Sequence, residues 1–248
     1  MPELSIGCSG FSYPHWRGCF YPENLPPKRW FGYYCETFGS VELNVTFYRT
    51  LQPEVFARLR LESPPGFAFS AKGSRFITHI KRLANPEKPL ARFYEGVLQL
   101  GKKLRVILWQ FPPGFACNVA LLEHFLKQLS RYPVRNALEF RDESWLCEEV
   151  FSLCRKSRVA ICMADWPEFI NEPPLTSDFV YLRRHGRGGN HNGCYSHDEL
   201  SADAGRITGY LDGGREVFIY FNNDAEGFAL ANAMELAQLI PGYSSGHL

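Results

Sequence analysis

Charged side chains recur two residues apart near the ends of several apolar runs, and they are the residues that could do chemistry here. Glu139 and Arg141 flank a phenylalanine, Arg183 and His185 flank an arginine, and Lys72 closes a run that begins at residue 67. Arginine binds a phosphate or carboxylate through paired hydrogen bonds, lysine acts as a point charge, and glutamate or histidine can move a proton. This mixture predicts general acid/base chemistry on an anionic substrate.

The alternation of apolar and polar residues shows which side chains share a face. Successive side chains of a strand point to opposite faces, so the apolar positions that suit a layer of helices send their neighbours the other way. At least seven of eight predicted strands then deliver an inward polar group at their carboxyl ends. These groups are Glu42, Asn44, Lys72, Gln110, Glu139, Arg141, Asp165, Arg183, His185 and Asn222, with His79 close by in sequence.

We predict that Glu139 is the leading acid or base, with Glu42 and His185 as its partners for returning the proton. The reaction is that of a hydrolase, a lyase or an isomerase. The predicted substrate-binding residues are Lys72, Arg141, Arg183, Asn44, His79, Gln110, Asp165, Asn222, Tyr13 and Trp16. Two alternatives stay open: Glu139 and Arg141 form only an internal salt bridge, or the whole set is a ring of ion pairs that caps the core.

A metal site is disfavoured by the same charges. His79, His185 and three carboxylates (Glu42, Glu139 and Asp165) could hold zinc, manganese or magnesium. Three inward cations oppose a dication, and the sequence has no His-x-Glu or His-Glu-x-x-His spacing. We therefore predict no cofactor and no metal, with a divalent metal kept as the alternative.

A second function class, nucleic-acid binding or a nuclease-like barrel, rests on two loops. Residues 11–21 are rich in aromatic side chains, Tyr13 and Trp16 among them, and residues 183–193 are basic and glycine-rich. Aromatic rings that stack on bases beside arginines that meet phosphates could bind a flipped nucleotide or a single strand. The alternative is that these rings pack as a lid over the barrel mouth.

The elements that must position these residues alternate along the chain. Runs rich in β-branched and aromatic residues predict strands at 4–8, 41–43, 67–71, 104–110, 137–140, 159–163, 179–182 and 216–221. Amphipathic segments predict helices at 28–38, 54–61, 89–100, 119–129, 145–156, 197–211 and 229–240. Start signals are Pro53, Asn118, Ser144 and the capping box Ser196 with Glu199.

Eight strand-plus-helix units in 248 residues predict one TIM (β/α)₈ barrel over residues 1–248, with the site at the carboxyl-terminal face of its strands. The rival is an open, doubly wound sheet. That fold usually carries Gly-x-Gly-x-x-Gly after its first strand, and residues 7–12 do not match it.

Composition excludes several classes of protein. The 27 basic and 26 acidic residues leave a net charge of +1, so no global field attracts the chain to nucleic acid or to a membrane. The longest apolar run, 159–164, is far too short to span a bilayer, and no signal peptide is evident. Eight cysteines without a Cys-x-x-Cys spacing predict reduced thiols. We expect a cytoplasmic protein whose partner is a small anionic ligand such as phosphate, sulfate or a phosphorylated metabolite, and not a membrane.

The sequence resembles the DUF72 or YecE-like proteins over nearly its whole length. The stretches that carry the resemblance are 7–18 (GCSGFSYPHWRG), 20–22 (FYP), 41–44 (VELN), 46–48 (TFY), 69–72 (FSAK), 77–79 (ITH), 110–113 (QFPP), 138–141 (LEFR), 184–186 (RHG) and 220–223 (YFNN). The resemblance implies a TIM barrel and no established reaction. Asp142 stands where the resemblance leads us to expect a histidine.

Overall fold

Short aromatic and β-branched runs alternate with longer amphipathic ones, and the chain forms strands and helices in the same alternation. The computed structural model describes residues 2–189, 191–240 and 242–243. The strands in this part of the chain are β1 Leu4–Cys8, β2 Ser40–Leu43, β3 Ala68–Lys72, β4 Leu104–Gln110, β5 Arg135–Glu139, β6 Ala160–Ile161, β7 Met163–Ala164, β8 Phe179–Arg184 and β9 Glu216–Phe221.

The helices lie between the strands. They are α1 Trp30–Thr37, α2 Val45–Tyr48, α3 Pro53–Glu62, α4 Glu87–Val97, α5 Val119–Leu129, α6 Glu148–Ser157, α7 His197–Asp212 and α8 Phe228–Leu239. Short 3₁₀ helices lie at Pro14–Trp16, Pro27–Arg29, Leu98–Lys103, Glu143–Trp145, Glu168–Ile170, Arg187–Gly189 and Ala225–Gly227, and one π-helical turn lies at Phe76–Ile80. Among the described helices, none is long and apolar enough to cross a membrane.

The strands form one parallel sheet that curls into the predicted TIM-type barrel. Its order is β6-β5-β4-β3-β2-β1-β9-β8-β7. The strand predicted at 159–163 is divided at Cys162: β6 pairs with β5, whereas β7 pairs with β8. Because β6 and β7 are consecutive halves of one extended segment, the two ends of the sheet meet there and complete the barrel.

The barrel interior is filled by one buried cluster of side chains. Its members are Val106, Leu108, Ala137, Ala160, Cys162, Phe179, Tyr181, Phe218 and Tyr220. These residues occupy the amino-terminal and middle levels of the strands, so the inward polar groups that follow them emerge together at the carboxyl end. The strand alternation thus places a packed core beneath a polar mouth.

Two glycines shape the loops at this mouth. A Cβ on Gly73, which follows β3, would lie 2.2 Å from the Trp109 ring, so only glycine lets the chain leave β3 against that ring. Gly186 follows β8 with a φ of +84°, and its Cβ would meet the Asn192 carbonyl oxygen at 2.2 Å. That turn brings the loop after β8 back over the mouth.

One helix start was wrongly predicted. Ser144 does not cap α6, which begins at Glu148 with Cys147 in the capping position. Instead, the Asp142 side chain accepts a hydrogen bond from the Ser144 backbone N–H and starts a separate 3₁₀ turn. The predictions for Asn118 and for the Ser196 and Glu199 capping box are confirmed.

Candidate active site

The polar mouth of the barrel brings together residues from strands that are far apart in sequence. Glu42 on β2, Glu139 on β5 and Arg183 on β8 have no exposed surface, and Lys72 on β3 is 7% exposed. Asn222 directly follows β9 and is also buried. Five of the predicted site residues therefore share one buried cluster.

Arg183 joins the two carboxylates of this cluster. Its Nη2 donates to Glu42 Oε1 at 2.8 Å, and its Nη1 donates to Glu139 Oε2 at 2.9 Å. Its Nε makes a further bond to Glu42 Oε1 at 3.2 Å. Burial opposes the charged form of Arg183, but Glu42 and Glu139 outweigh it and raise its pKa above the ordinary value.

The remaining acceptor positions of Glu42 are also filled. Ser9 Oγ donates to its Oε1 at 2.7 Å, and the Tyr181 hydroxyl donates to its Oε2 at 2.7 Å. Both carboxylate oxygens therefore accept hydrogen bonds from groups that are themselves buried. Glu42 acts as a fixed negative charge that holds Arg183.

Glu139 is similarly enclosed. Its Oε1 accepts hydrogen bonds from Arg141 Nη2 and from Gln110 Nε2, the latter at 3.1 Å. Burial by itself raises the pKa of this carboxyl, but Arg141 and Arg183 outweigh it and hold the pKa well below the ordinary value. Glu139 is thus ionised at neutral pH and surrounded by donors.

His185 lies against the same carboxylate and is neutral at physiological pH. Its Nε2 is 3.1 Å from Glu139 Oε1, and its Nδ1 is 3.1 Å from Asn222 Nδ2. Burial, followed by the charge of Arg183, lowers its pKa to about 3. Its backbone N–H donates to Asp165 Oδ1 at 2.8 Å, which fixes the end of β8.

We expect His185 to make the protein acid-sensitive. Between pH 6.5 and about 3 the unfolded chain protonates this histidine and the folded chain does not, so stability falls as the pH falls through that window. One proton corresponds to about 1.4 kcal/mol per pH unit. Urea unfolding of the His185→Gln variant should give a correspondingly shallower pH dependence. The control is the exposed His197→Gln variant. A slope for His185→Gln no shallower than that of the wild type and of this control would contradict the prediction.

Lys72 differs from the other charged groups of the mouth because its side chain is largely buried while its ammonium group lacks a partner in the described part of the chain. Among the described residues, Nζ has neither a hydrogen-bond acceptor nor an ion-pair partner. It lies 4.3 Å from the centre of the Phe47 ring. Burial, followed by the charge of Arg183, lowers the pKa of Lys72 to about 7.

Two further polar atoms of the mouth are buried without a partner in the described part of the chain. They are Arg141 Nε, a donor, and Asn44 Oδ1, an acceptor. The rest of each side chain is anchored: Arg141 Nη1 donates to the Trp166 carbonyl oxygen at 2.9 Å, and Asn44 Nδ2 donates to the Ser9 carbonyl oxygen at 3.0 Å. Buried unpaired polar atoms are costly, so they point to a missing ligand group.

The opposite end of the barrel shows what a purely structural ion-pair ring looks like in this molecule. There, Arg105 donates to Glu3 at 2.8 Å and to Glu216 at 3.0 Å, and Arg135 also donates to Glu216. Each of these cations has a carboxylate partner. The carboxyl end instead leaves Lys72 unpaired, which distinguishes it from a simple cap on the core.

Other predicted residues occupy positions around this cluster. Both carboxylate oxygens of Asp165 accept hydrogen bonds within the loops: Oδ1 accepts from the His185 backbone N–H, and Oδ2 accepts from the Tyr195 hydroxyl. His79 lies beside Thr78 and Phe47, and burial followed by the Lys72 charge lowers its pKa to about 4.

The aromatic loop packs on itself at the edge of the mouth. Trp16 has no exposed surface, and its Nε1 donates to the Asp224 carbonyl oxygen at 3.1 Å. Its ring lies 4.7 Å from that of Tyr13, whose hydroxyl donates to the Ser9 carbonyl oxygen. Tyr13 and Asn44 therefore donate to the same backbone oxygen, which links this loop to the polar mouth.

Sequence reasoning missed two aromatic residues beside the site. Phe47 lies against Lys72, and the Trp166 ring lies 4.9 Å from the guanidinium carbon of Arg141. Both residues belong to connections after strands, α2 for Phe47 and the loop after β7 for Trp166. No strand alternation extends into these segments, so the sequence offered no signal for their orientation.

No metal site is evident in the described residues. No group of three or more histidine, cysteine or acidic side chains there is placed to hold an ion. The two buried carboxylates face arginines, which compete with a dication for the same oxygens.

Comparison with known proteins identifies relatives over the full length of this barrel. The family described as "Protein of unknown function DUF72" matches residues 5–245. The UPF0759 protein YunF of Bacillus subtilis strain 168 is 26% identical, with 91% of this chain and 92% of that protein aligned.

Solved structures give the same result. A DUF72 family protein from Thermotoga maritima superposes with a TM-score of 0.83 at 29% identity, covering 96% of this chain and 98% of that one. One from Enterococcus faecalis gives 0.81 at 21% identity, covering 96% and 95%. A D-psicose 3-epimerase gives 0.53 at 12% identity, covering 100% and 94%, which is a likeness of fold alone.

Proposed function

Because the chain belongs to the DUF72 family, whose description names no reaction, we propose its function from the site itself. The protein is an enzyme that binds a small phosphate- or carboxylate-bearing molecule at the carboxyl end of the barrel. It transfers a proton on that molecule by general acid/base catalysis. Lys72 is the group that moves the proton.

The observation that carries this proposal is a pair of cationic donors without acceptors among the described residues: the ammonium group of the largely buried Lys72 and the buried Nε of Arg141. Two such donors at one mouth favour an anion as the missing group. The free Asn44 Oδ1 favours a hydroxyl or N–H on the same molecule. These requirements describe a small polar anion better than a metal ion or an apolar ligand.

Lys72 suits proton transfer because its pKa is lowered to about 7. A group with a pKa near the working pH can both take and return a proton, which is the condition for efficient acid/base catalysis. Glu139 meets this condition less well, since its pKa lies far below neutrality. Both oxygens of Glu42 already accept hydrogen bonds, from Ser9 and from Tyr181. The proposed reaction remains within the hydrolases, lyases and isomerases.

We assign Glu42, Glu139 and His185 to the charge framework of the site. The two carboxylates fix Arg183, and Glu139 also fixes Arg141. Burial is the main reason that Lys72 favours its neutral form until an anion arrives; Arg183 adds to this effect, whereas the two carboxylates oppose it. We place the reaction in the cytoplasm, on the support of eight free cysteines, four of which (Cys19, Cys117, Cys147 and Cys194) are exposed or half-buried.

The proposal predicts that anion binding is coupled to proton uptake. At pH 7 Lys72 is about half protonated, and a bound phosphate beside it raises its pKa. Calorimetric titration with inorganic phosphate at pH 7, in two buffers of different ionisation enthalpy, should show more net proton uptake in the wild type than in Lys72→Met, which corrects for the protons that phosphate itself releases. At pH 5.5, where Lys72 is already charged, the linked uptake should shrink towards that of phosphate alone.

The Lys72→Met variant provides the control, since it should lose the linked uptake while Lys127→Met on the exposed face of α5 keeps it. Phosphate binding with no dependence on Lys72 would refute the proposed site. Catalysis is then tested in deuterated water by measuring the exchange of substrate protons for solvent deuterium in a panel of phosphorylated and carboxylated metabolites. Exchange that persists unchanged in Lys72→Met would refute its catalytic role.

A further inference from the structure

A second concavity lies beside the mouth, outside β2 and β3. It is bounded by α2 and the segment after it, by the π-helical turn at Phe76–Ile80 and by the first half of α4, and its volume is about 750 Å³. That volume is in the range of small-ligand sites. We call this concavity the side groove.

The side groove is strongly basic. Arg49, Arg75, Lys88 and Arg92 line it, and its described lining residues include no aspartate or glutamate. None of these four side chains forms an ion pair or hydrogen bond with another described residue. The acidic residues on α4 lie elsewhere: Glu87, for example, bonds His124 at 2.8 Å. All four side chains are exposed, and the positive potential that they create together favours a ligand with several negative charges.

The same groove carries exposed apolar and aromatic surface. Tyr48 is 66% exposed, Ile80 61% and Phe76 44%, and all three line the groove. Exposed large hydrophobic residues are few in the described part of the chain, so their concentration here favours a binding surface. The Lys81 ammonium group lies over the Phe76 ring at 5.8 Å, whereas Tyr48 contacts Phe47 edge-on. Exposed aromatic rings beside cations favour a ligand that has a flat ring as well as its charges.

We propose that the side groove binds a nucleotide, with its phosphates on the four cations and its base against Tyr48 or Phe76. A sugar phosphate would leave the aromatic faces uncovered, and a neutral nucleoside would leave the cations unpaired. A nucleoside di- or triphosphate satisfies both, because its charge approaches that of the four cations and its base offers a stacking face. The volume suits one nucleotide rather than a long strand.

The groove and the mouth share a wall. Phe47 lines the groove and lies 4.3 Å from Lys72 Nζ, and Thr46, another lining residue, donates its hydroxyl to the Lys72 carbonyl oxygen at 2.7 Å. A nucleotide in the groove is therefore next to the proposed acid/base group. In this respect the inference rests on the proposed function, since it makes the nucleotide part of the anionic substrate of that site.

Binding is tested on the intact protein with four probes: adenosine triphosphate, inorganic tripolyphosphate, adenosine and a short single-stranded oligodeoxynucleotide. We expect adenosine triphosphate to bind most tightly. The double variant Lys88→Glu/Arg92→Glu should bind adenosine triphosphate and tripolyphosphate at least tenfold more weakly than the wild type. Its control, Lys28→Glu/Arg29→Glu, makes the same charge change on exposed residues outside the groove and should leave both affinities unchanged.

The ring contact is tested separately with Tyr48→Ala, which is tolerated by the fold because the side chain is mostly exposed. Loss of stacking should weaken the binding of adenosine triphosphate about five- to a hundredfold and leave the binding of tripolyphosphate unchanged. Equal binding of the two probes, with no effect of Tyr48→Ala or Phe76→Ala, would refute the nucleotide proposal and show that the side groove binds anions without recognising a base. Tighter binding of the oligonucleotide than of adenosine triphosphate would refute the proposal that the ligand is a single nucleotide.

The two proposals fail in distinguishable ways. If no nucleotide binds but phosphate still drives proton uptake through Lys72, the side groove assignment fails and the proposed function survives. If nucleotides bind with the expected dependence on Lys88 and Arg92 while proton uptake is absent, the groove assignment survives and the proposed function fails.

Discussion

Replacing Lys72 with methionine should stabilise the folded protein at neutral pH, by an amount of the order of 3 kcal/mol, while it abolishes proton-linked phosphate binding. The wild-type protein buries most of this lysine side chain and gives its ammonium group no hydrogen-bond acceptor among the described residues. Methionine has a similar length, carries no charge and can pack its sulfur against Phe47. Gain of stability with loss of function is the behaviour of a residue retained for its chemistry.

The pH dependence gives the sharper test of this prediction. Lys72 has a pKa of about 7 in the folded protein and 10.5 as an ordinary lysine, so between these values the unfolded chain binds more protons. Wild-type stability should therefore rise with pH across that window, by up to about 1.4 kcal/mol per unit. Lys72→Met should lack this rise, and its advantage should be largest below pH 7 and shrink towards pH 10.5.

Urea unfolding at a series of pH values measures both effects on one pair of proteins. The exposed Lys127→Met variant is the matched control and should follow the wild-type curve. If Lys72→Met were instead less stable than wild type at pH 6, the ammonium group would have a favourable native partner. The idea of an amine held ready for a ligand would then be untenable.

The strand faces of this protein were predictable because the side-chain period of a strand is fixed at two residues. Glu42, Lys72, Glu139 and Arg183 come together at the mouth for that reason alone. The alternation also correctly separates Tyr181, which lies inside the barrel, from Leu182, which packs in the outer core. Backbone geometry thus determines which residues meet.

The sequence could not predict which of these residues form ion pairs and which remain unpaired. Arg183 rather than Lys72 neutralises the two carboxylates, because its forked guanidinium spans both and an ammonium group cannot. Asp165 was predicted at the site, but whether its oxygens face a ligand or the loops depends on Tyr195, thirty positions further along the chain. Side-chain direction in such loops is set by tertiary packing, which no periodicity describes.

The side groove was missed for a related reason. Its walls are a four-residue helix at Val45–Tyr48 and a π-helical turn at Phe76–Ile80, both too short to produce a recognisable period. Lys88 and Arg92 lie about one helical turn apart, a spacing that by itself is typical of a solvated helix face. Only the packing of α4 against these two turns brings the cations and the aromatic rings into one concavity.

Glu139→Gln should be the most damaging conservative change at the mouth. We expect it to cost about 3–5 kcal/mol of stability at neutral pH, because it leaves Arg141 and part of Arg183 buried without their counter-charge. The carboxylate contributes its stability above the unfolded pKa of 4.5, and that contribution is lost as the pH falls towards its lowered folded pKa. The difference between wild type and variant should therefore shrink below pH 4.5.

A second substitution distinguishes the loss of an ion pair from the loss of a base. Adding Arg141→Met to Glu139→Gln removes the stranded cation and should recover part of the stability, since Arg183 keeps Glu42 as a partner. Phosphate-linked proton uptake should persist in Glu139→Gln with its midpoint below pH 7, because Glu139 helps to keep Lys72 charged. If Glu139→Gln instead keeps the wild-type stability and lowers catalysed proton exchange 10²- to 10⁴-fold, on the order expected for a lost general base, then Glu139 and not Lys72 transfers the proton.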